Sequence, residues 1–393
     1  MPLADPSQKT WSAKNLTRKG LVVLGSTGSI GRQTLDTVRA FPDQLKVVGL
    51  AAGFNTDLLG EQIAEFKPRL VCCADGASVQ DPSNQATVMP MEEMVCDSEV
   101  DIIMVGTTGR AGLMPTIKAL QNQRTVCLAN KEVIIMAGEM ITRLARNEGG
   151  SLFPVDSEPS AIWQCLQGEH QSTRRLIITA SGGPFRNTPM EDLSLVTPEQ
   201  ALRHPTWKMG KRITIDSSTL MNKGFEVIEA HWLFDMAWEQ IEVVVHPQSL
   251  IHSMVEFDDG SIKAQIGPPD MRLPIQYALF YPERRSNDAI PRLDISVPTT
   301  MTFEPMDPSR YPCFVLALEA GRKGGTFPAV LSAADEVAVQ LFLDRRIPFT
   351  DIPRVVEGVL ESHLPSFGGN LEDILGADQW ARAKAGEVAK YLS

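Results

Sequence analysis

The feature that most constrains the fold is a short apolar segment that runs directly into a glycine-rich turn. Leu21-Val22-Val23-Leu24 precedes Gly25-Ser26-Thr27-Gly28-Ser29-Ile30-Gly31, and a helical pattern follows. Glycines let the backbone approach a pyrophosphate closely, and the free N–H groups of a helix N-terminus attract its charge. The order strand, turn, helix therefore predicts a dinucleotide site. The spacing GxxGxxG differs from the commoner GxGxxG, so a plain strand–helix turn stays the structural alternative.

Further apolar segments of strand length follow, separated by stretches long enough for helices. They cover residues 46–52, 69–73, 101–106 and 125–130. Near-continuous apolar strands separated by helices indicate a parallel sheet that is covered on both faces. The second strand is followed by Gly53-Phe54-Asn55 and not by the Asp or Glu that usually binds the ribose of NAD. The lack of an acidic residue at this position favours NADP over NAD. Asn130-Lys131-Glu132 follows a strand at the sheet edge where ligands bind, although a solvated lysine would also fit there.

Two carboxylates with one residue between them follow the next strand-like segment, Ser151-Leu152-Phe153, in the sequence Pro154-Val155-Asp156-Ser157-Glu158. In extended backbone, residues two apart point to the same side. We therefore expect Asp156 and Glu158 to converge, with Ser157 facing away or turned in by a loop. Converging carboxylates repel each other unless one is protonated or a cation lies between them, and Mg²⁺ or Mn²⁺ prefers such oxygen ligands. Taken alone, the segment is also compatible with a solvated turn.

A second polar-rich stretch covers residues 216–233. Asp216-Ser217-Ser218-Thr219 offers N-cap candidates for a following helix, whose apolar stripe contains Met221, Phe225, Ile228 and Trp232. A neighbouring stripe holds Asn222, Glu226 and Glu229, with Lys223 beside it. Such stripes are usually solvated. Here a cation, hydroxyls and an amide near a helix N-terminus predict a phosphate site, and Glu226 supplies a third carboxylate.

Two loops between these stretches are also candidates. A strand that ends in Ala180-Ser181-Gly182-Gly183-Pro184 offers a hydroxyl and free N–H groups, which is a typical anion nest. The Pro- and Gly-bounded loop His204-Pro205-Thr206-Trp207-Lys208-Met209-Gly210 has the composition of a lid. The alternative for this loop is an ordinary connection whose tryptophan covers the core.

Composition excludes several classes of protein. The chain has 393 residues, 43% of them hydrophobic and 22% charged, which is ordinary for a globular protein of two or three domains. A formal charge of −11 argues against a nucleic-acid or anionic-membrane partner. The six cysteines show no CxxC spacing, which favours free thiols in a reducing compartment. No stretch approaches the roughly 20 apolar residues of a membrane span, and residues 1–19 read as a disordered tail rather than a signal peptide.

The second half of the chain predicts a different architecture. Residues 241–246 and 250–257 are strands, and Asp258-Asp259-Gly260 turns the second into an antiparallel hairpin that could form a subunit contact. His252, within that hairpin, is typical of packing rather than catalysis. Four helices are expected at 312–323, 327–344, 350–362 and 372–391. We predict an α/β protein with a disordered tail (1–19), a Rossmann-like nucleotide domain (20–155), an α+β catalytic domain (156–282), a linker (283–311) and a C-terminal four-helix bundle (312–393).

The ordered motifs together resemble the 1-deoxy-D-xylulose 5-phosphate reductoisomerase family. They are the glycine-rich turn, Ala129-Asn130-Lys131-Glu132, Pro154 to Glu158, Ser181 to Phe185, His204 to Gly210, Asn222-Lys223-Gly224-Phe225-Glu226 and His246-Pro247-Gln248-Ser249. The resemblance runs from about Gly20 to near the C-terminus. It implies a homodimer that rearranges a sugar phosphate and reduces the product with NADPH, with Mg²⁺ or Mn²⁺ bound. A bacterial-type cytoplasm is the expected location, since residues 1–19 are short for a plastid transit peptide.

The resemblance also implies roles for individual residues. The implied metal ligands are Asp156, Glu158 and Glu226, and these carboxylates join Lys131 and His204 as the catalytic set. Implied substrate contacts are Ser157, Glu158, Ser181, His204, Trp207, Ser217, Asn222, Lys223 and Glu226. Implied cofactor contacts are Thr27, Gly28, Ser29, Ile30, Gly53, Phe54, Asn55, Asn130, Glu132 and Gly210.

Two positions depart from the family pattern. Phe54 stands where a Lys or Arg usually faces the 2′-phosphate of NADPH, and Asn55, Thr56 and Arg32 are the candidates to compensate. Pro159 stands where a histidine usually follows, so we expect changed shape or basicity near the metal with no ligand lost. Two other functions remain open at this stage. One is a simple NADP-dependent dehydrogenase of the semialdehyde or homoserine type, and the other is an inactive nucleotide-binding regulator.

Overall fold

The computed structural model describes residues 18–74, 86–169, 172–207, 209–366 and 369–392. Residues 1–17 of the tail predicted at 1–19 lie outside these residues, whereas Lys19 belongs to the first strand, so the tail was predicted to end too late. The strands are β1 (Lys19–Leu24), β2 (Leu45–Ala51), β3 (Leu70–Cys72), β4 (Thr87–Val88), β5 (Ile102–Val105), β6 (Thr125–Leu128), β7 (Ser151–Pro154), β8 (Thr173–Ala180), β9 (Ile241–Val245), β10 (Ile251–Phe257), β11 (Ile262–Ile266) and β12 (Glu304–Pro305).

The helices occupy most of the intervals between these strands. They are α1 (Ser29–Ala40), α2 (Thr56–Phe66), α3 (Met91–Met94), α4 (Leu113–Gln121), α5 (Lys131–Asn147), α6 (Ser157–Leu166), α7 (Pro198–Ala201), α8 (Lys211–Thr219), α9 (Met221–Phe234), α10 (Arg272–Phe280), α11 (Pro312–Lys323), α12 (Phe327–Leu343), α13 (Asp351–Glu361) and α14 (Leu371–Leu392). Short 3₁₀ turns lie at Gly109–Gly112, Met190–Leu195, Trp238–Gln240 and Pro308–Arg310.

Contacts divide the chain into two compact units. The first comprises the described residues of Met1–Val133, Met140–Ser160 and Asp270–Pro291, and the second those of Ile134–Glu139, Ala161–Pro269 and Arg292–Ser393. The domain boundaries predicted from the sequence, at residues 155, 282 and 311, stay a prediction. None of the helices that the structure describes is long and apolar enough to cross a membrane.

The first unit is built on a parallel sheet. Its described strands lie in the order β4-β3-β2-β1-β5-β6-β7. Every pairing in this sheet is parallel, as the continuous apolar strands predicted. The strands β1 and β5 are buried along their apolar residues, which excludes water from both faces. The order reverses direction beside β1, so the glycine-rich turn lies at the point where open α/β sheets bind nucleotides.

The glycine-rich turn is tight enough to require glycine at two positions. Gly25 has a φ of +83°, and a Cβ there would lie 2.4 Å from the carbonyl oxygen of Gly106. A Cβ at Gly31 would lie 2.3 Å from the carbonyl oxygen of Gly25. Both approaches are far closer than side-chain atoms tolerate, so the first turn of α1 can pack against β1 only without these side chains. The predicted strand–turn–helix unit is therefore confirmed.

The second unit combines a mixed sheet with a helical bundle. Its described strands lie in the order β11-β10-β8-β9-β12. The pair β8–β9 is parallel, and the β10–β11 hairpin predicted at Asp258-Asp259-Gly260 is antiparallel. The helix α12 packs against α11, α13 and α14, and each of the predicted C-terminal helices is present within a residue or so of its expected bounds.

One apolar core joins the bundle to the helix that carries the polar stripe. Phe225 and Ile228 of α9 belong to the same buried cluster as Ala317 of α11 and Phe342 of α12. Gly224 allows this close approach, since a Cβ there would lie 2.4 Å from the Cβ of Ala317. Packing therefore fixes α9 rigidly within the second unit and holds its polar residues in place.

Candidate active site

The carboxylates Asp156 and Glu158 lie at the start of a helix rather than in a strand. The strand β7 ends at Pro154 and α6 begins at Ser157, so the expectation of an extended segment was wrong. The two residues nevertheless place carboxylate oxygens within 4.8 Å of each other. The helix forms here because the backbone N–H of Ser157 donates to Asp156 Oδ1 at 3.1 Å and the N–H of Ser160 donates to the Asp156 carbonyl at 2.9 Å.

Each carboxylate of this pair has a local partner in the first unit. Lys131, at the first turn of α5, places its Nζ 2.6 Å from Asp156 Oδ2, and the two residues are only 7% and 9% exposed. The Ser157 hydroxyl donates to Glu158 Oε2 at 2.6 Å. Ser157 is therefore turned in, which is the second of the two expected orientations. Because Lys131 is buried and ion-paired, the alternative of a solvated lysine is excluded.

The residue before Lys131 organises the sheet edge. Asn130 is buried, and its side-chain amide donates to the Thr107 hydroxyl and to the Gly109 carbonyl, each at 3.0 Å. These bonds connect the carboxyl ends of β5 and β6. The position of Lys131 is consequently set by the sheet and not by a mobile loop.

The polar stripe of α9 is buried, so the alternative of a solvated stripe was wrong. Glu226 is 1% exposed and Lys223 is 4% exposed. The Lys223 ammonium donates to Glu226 Oε2, and the Asn222 amide donates to Glu226 Oε1 at 2.6 Å. A buried charge is costly unless it is paired and hydrogen-bonded, so this geometry marks the glutamate as a fixed anionic group.

The segment Asp216 to Thr219 does not cap α9. It forms the last turn of α8, and the residue before α9 is Leu220, in the left-handed region with a φ of 54°. The N-cap prediction was wrong because the two helices follow each other with a single-residue joint. The consequence is that Ser217 projects from the C-terminal end of one helix while Asn222 and Lys223 project from the first turn of the next.

A histidine connects the two candidate serines of the second unit. His204 Nε2 lies 3.1 Å from Ser181 Oγ and 3.0 Å from Ser217 Oγ. The turn predicted to be an anion nest has φ values of +83° at Gly182 and +71° at Gly183. The N–H of Gly183 donates to Ser181 Oγ at 3.2 Å. Ser181, His204 and Ser217, which are distant in sequence, therefore form one hydrogen-bonded group.

Trp207 and the remaining loop residues lie beside this group. The Trp207 and His252 rings are 5.8 Å apart between centroids, and Trp207 is half-buried. His252 Nε2 lies 3.1 Å from the Gly267 carbonyl oxygen, in agreement with a packing role. Gly210 precedes α8 and is exposed. Lys208 lies outside the described residues.

Sequence patterns did not identify Arg310 and Tyr311, which donate hydrogen bonds to backbone carbonyls in and after the Gly182–Gly183 turn. The Tyr311 hydroxyl donates to the Gly182 carbonyl at 3.0 Å, and the Arg310 guanidinium donates to the carbonyls of Phe185 and Thr188. Burial raises the pKa of the Tyr311 phenol, which therefore remains a donor. Both residues fall in a stretch that was interpreted as a linker and that carries no periodic signal, so only the folded chain places them here.

The proposed cofactor contacts of the first unit lie around the glycine-rich turn. Thr27 to Ile30 form the turn and the start of α1, and Gly53 to Asn55 follow β2. Phe54 is 84% exposed, and the Asn55 side chain caps α2 by accepting the N–H of Leu58 at 3.3 Å. All six cysteines, each within the described part of the chain, are free thiols, as predicted.

The fold and these groups define a dinucleotide-dependent oxidoreductase. Three family descriptions match the chain: 1-deoxy-D-xylulose 5-phosphate reductoisomerase at residues 21–138, its C-terminal domain at 152–234, and the DXP reductoisomerase C-terminal domain at 266–384. The chain belongs to the 1-deoxy-D-xylulose 5-phosphate reductoisomerase family.

Relatives of that name match almost end to end. The reductoisomerase of Pelotomaculum thermopropionicum is 49% identical over 95% of this chain and 99% of its own length. That of Prosthecochloris aestuarii is 50% identical over 93% of this chain and 98% of its own length. The coverage leaves no large part of either relative without a counterpart in this chain.

Solved structures of the family agree with the fold. The Zymomonas mobilis reductoisomerase in complex with NADPH is 40% identical, with a TM-score of 0.86 over 95% of this chain and 99% of the other. A reductoisomerase in complex with NADPH, fosmidomycin and magnesium is 34% identical, with a TM-score of 0.89 over the same 95% and 99%.

Proposed function

We propose that this chain rearranges 1-deoxy-D-xylulose 5-phosphate and reduces the branched aldehyde with NADPH to 2-C-methyl-D-erythritol 4-phosphate, a step of non-mevalonate isoprenoid biosynthesis. The observation that carries the proposal is the family match over nearly the whole chain, together with the presence of the three carboxylates and of the polar residues proposed to contact the substrate. A simple dehydrogenase would not need the three carboxylates at 156, 158 and 226, and an inactive regulator would be expected to have lost some of them.

The proposed metal site consists of Asp156, Glu158 and Glu226. Their donors are all carboxylate oxygens, which suit Mg²⁺ or Mn²⁺. The local partners support this fit, because Lys131 and Lys223 already balance the charge of two of the three carboxylates. When bound, the ion supplies polarisation of the ketone and hydroxyl oxygens of the substrate. Lys131 holds Asp156 in place through its ion pair, and its ammonium would supply a proton donor beside the metal site.

The proposed substrate contacts fall into two groups. Ser181, Ser217, Asn222 and Lys223 supply hydroxyl, amide and ammonium donors, which is the chemistry that anchors a phosphate. Ser157, Glu158, His204, Trp207 and Glu226 would contact the reacting end. An anchored phosphate fixes the orientation of the carbon skeleton before it rearranges, and this saves much of the entropy cost of the reaction.

The proposed cofactor contacts are Thr27, Gly28, Ser29 and Ile30 on the pyrophosphate, and Gly53, Phe54 and Asn55 on the adenosine. Asn130, Glu132 and Gly210 complete the set toward the nicotinamide. The open end of α1 favours this arrangement, since helix N–H groups stabilise a pyrophosphate.

We further propose a homodimer in the cytoplasm. The strand β11 lies at the edge of its sheet, and its residues Ile262 and Ile266 are 52% and 46% exposed. An edge strand with exposed apolar side chains is prone to pair with another chain. Sedimentation analysis of the wild-type protein and of Ile266→Lys would distinguish a dimer that uses this edge from one that does not.

The decisive experiment measures NADPH oxidation with 1-deoxy-D-xylulose 5-phosphate, with and without Mg²⁺. We expect oxidation that depends on both the sugar phosphate and the metal ion. Product analysis should give the branched alditol phosphate and not a straight-chain reduced sugar. Oxidation that persists after the metal has been removed by a chelator would favour the simple dehydrogenase instead.

A further inference from the structure

A groove lies between α1 and α2 of the first unit. Its volume is about 350 Å³, within the range of about 300–1,000 Å³ that is typical of ligand clefts. Its lining includes Ser29, Arg32 and Gln33 from α1 and Leu58, Glu61 and Gln62 from α2. The groove therefore begins at the first turn of each helix.

Two hydrogen bonds place this groove next to the proposed nucleotide contacts. The Gln62 side-chain amide donates to the Ser26 carbonyl of the glycine-rich turn at 2.9 Å. The N–H of Leu58 donates to Asn55 Oδ1, in the loop after β2. The groove thus adjoins both segments that a dinucleotide touches in a doubly wound sheet, namely the first βα turn and the loop after the second strand.

The loop after β2 carries no charge that could bind a phosphate. Residues 52–56 read Ala-Gly-Phe-Asn-Thr, and Phe54 is 84% exposed. NADP-binding sheets of this kind lack the acidic residue that binds the NAD ribose and use a nearby arginine for the 2′-phosphate. In this chain such an arginine has to come from another segment.

The groove contains two arginines, and they differ in their partners. Arg39 is held by Asp36 and Glu65, each at 2.6 Å, and its hydrogen bond lowers the pKa of Glu65. Arg32 is exposed, and among the residues that the structure describes its guanidinium makes no hydrogen bond or ion pair. Only Arg32 is therefore available to bind an anion without first breaking an ion pair.

We propose that Arg32 binds the 2′-phosphate of NADPH from the first turn of α1 and is the main determinant of NADPH preference in this chain. The proposal rests on the proposed function. A guanidinium can donate two parallel hydrogen bonds to a phosphate, and the positive end of the α1 dipole adds to the attraction. Asp57 and Glu61 act against it, so the measured preference reflects the difference between these charges.

The test uses 2′,5′-ADP and 5′-AMP, which differ only in the 2′-phosphate, titrated by calorimetry into the full chain. We expect Arg32→Met to weaken 2′,5′-ADP binding by about 10–100-fold, the range expected for loss of a charged hydrogen-bond partner. Binding of 5′-AMP should stay unchanged. The 2′,5′-ADP affinity of Arg32→Lys should lie between those of the wild type and of Arg32→Met, because lysine supplies a positive charge without the planar pair of donors of a guanidinium.

The matched control is Arg39→Met, which removes the other arginine of the same groove. This variant should leave the ratio of the two affinities at the wild-type value. Equal losses of 2′,5′-ADP affinity in the Arg32 and Arg39 variants would overturn the proposal, since the loss would then reflect the net charge of the groove and not a contact of Arg32. A wild-type ratio in Arg32→Met would overturn it as well.

The nucleotide titrations and the activity assay separate the two hypotheses. A wild-type chain that prefers 2′,5′-ADP but does not convert 1-deoxy-D-xylulose 5-phosphate would count against the proposed function and leave the role of Arg32 intact. A wild-type chain that binds both nucleotides equally would contradict NADPH preference and the role of Arg32 together.

Discussion

The imidazole Nε2 of His204 lies 3.1 Å from the hydroxyl of Ser181, and backbone N–H groups determine which nitrogen of the ring carries the proton. The N–H groups of Trp207 and Thr206 approach His204 Nδ1 at 2.9 and 3.2 Å, so Nδ1 accepts hydrogen bonds. The ring proton must therefore reside on Nε2 in the neutral ring. Nε2 also faces Ser217 at 3.0 Å. A single N–H is thus shared by the two serine oxygens, which accept from it, and each serine keeps its own hydroxyl proton to donate.

We expect His204→Asn to weaken binding of a phosphonate mimic of the substrate, because the shorter side chain cannot reach either serine. Loss of two neutral hydrogen bonds corresponds to about 1–3 kcal/mol. His204→Gln should recover part of the loss, since its amide nitrogen can occupy the position of Nε2. The dissociation constant is the quantity to measure. Ser218→Ala is the control, because the Ser218 hydroxyl donates to the Thr214 carbonyl and not to His204. Unchanged affinity in both His204 variants would contradict the contact.

Glu226→Gln should lower the affinity for Mn²⁺ by on the order of 10–100-fold or more, as expected for a change at a metal ligand. The substitution also leaves Lys223 buried with a weaker partner, so thermal unfolding should be measured to verify the fold. Glu229→Gln, a second buried glutamate on the same helix, is the matched control. Wild-type metal affinity and turnover in Glu226→Gln would rule out this ligand assignment.

The loop from Arg203 to Lys211 should order over bound substrate, with Trp207 shielding the reacting end from water. Limited trypsin digestion reports this, since Arg203 and Lys211 are cleavage sites at the two ends of the loop. We expect slower cleavage in the presence of a phosphonate mimic of the substrate and Mg²⁺. Tryptophan fluorescence is a second readout, and Trp207→Phe should reduce its change on ligand binding, although the five other tryptophans remain. Equal cleavage rates with and without ligand would argue against a lid.

Phe54→Arg should lower the Michaelis constant for NADPH and leave that for NADH nearly unchanged. The substitution places a cation in the uncharged loop after β2, where a charged hydrogen bond contributes about 1.5–3 kcal/mol. Stacking of the Phe54 ring on the adenine would be lost, which offsets part of the gain. If both constants stayed at their wild-type values, residue 54 would not face the 2′-phosphate.

The free energy of unfolding should decrease at acidic pH because His363 is partly buried. Burial lowers the pKa of its imidazole, whose Nε2 lies 2.8 Å from the Thr326 hydroxyl. The pKa of His363 is about 6.5 in the unfolded chain, and near and below this pH the unfolded chain binds the proton more readily than the folded chain. The contribution of the neutral imidazole to the free energy of unfolding is therefore fully present above the unfolded pKa, and it is lost as the pH falls through the lower pKa of the folded chain. Urea midpoints between pH 5 and 8 should vary less in His363→Gln than in the wild type. An identical pH dependence would exclude the effect.

Local patterns predicted most of the strands and the C-terminal helices of this fold. The apolar strand at Leu21 to Leu24 and the glycines that follow it predicted a turn in which Gly25 and Gly31 have no room for a side chain. The C-terminal helices were predicted with nearly the observed bounds, because periodicity and flanking prolines and glycines act within one element. Asp156 and Glu158 were identified for the same reason, although the backbone between them is helical and not extended.

The tertiary structure decided which polar residues are buried and which segments meet. Glu226 and Lys223 lie on a stripe that would be solvated on most helices, yet both residues are buried in the folded chain. The link from Ser181 through His204 to Ser217, and the support of Gly182 by Tyr311, join positions far apart in the chain. The periodicity of apolar residues predicts the secondary structure of a single segment. Burial and hydrogen bonds between segments depend on which residues become neighbours in the folded chain, and a local sequence pattern does not contain that information.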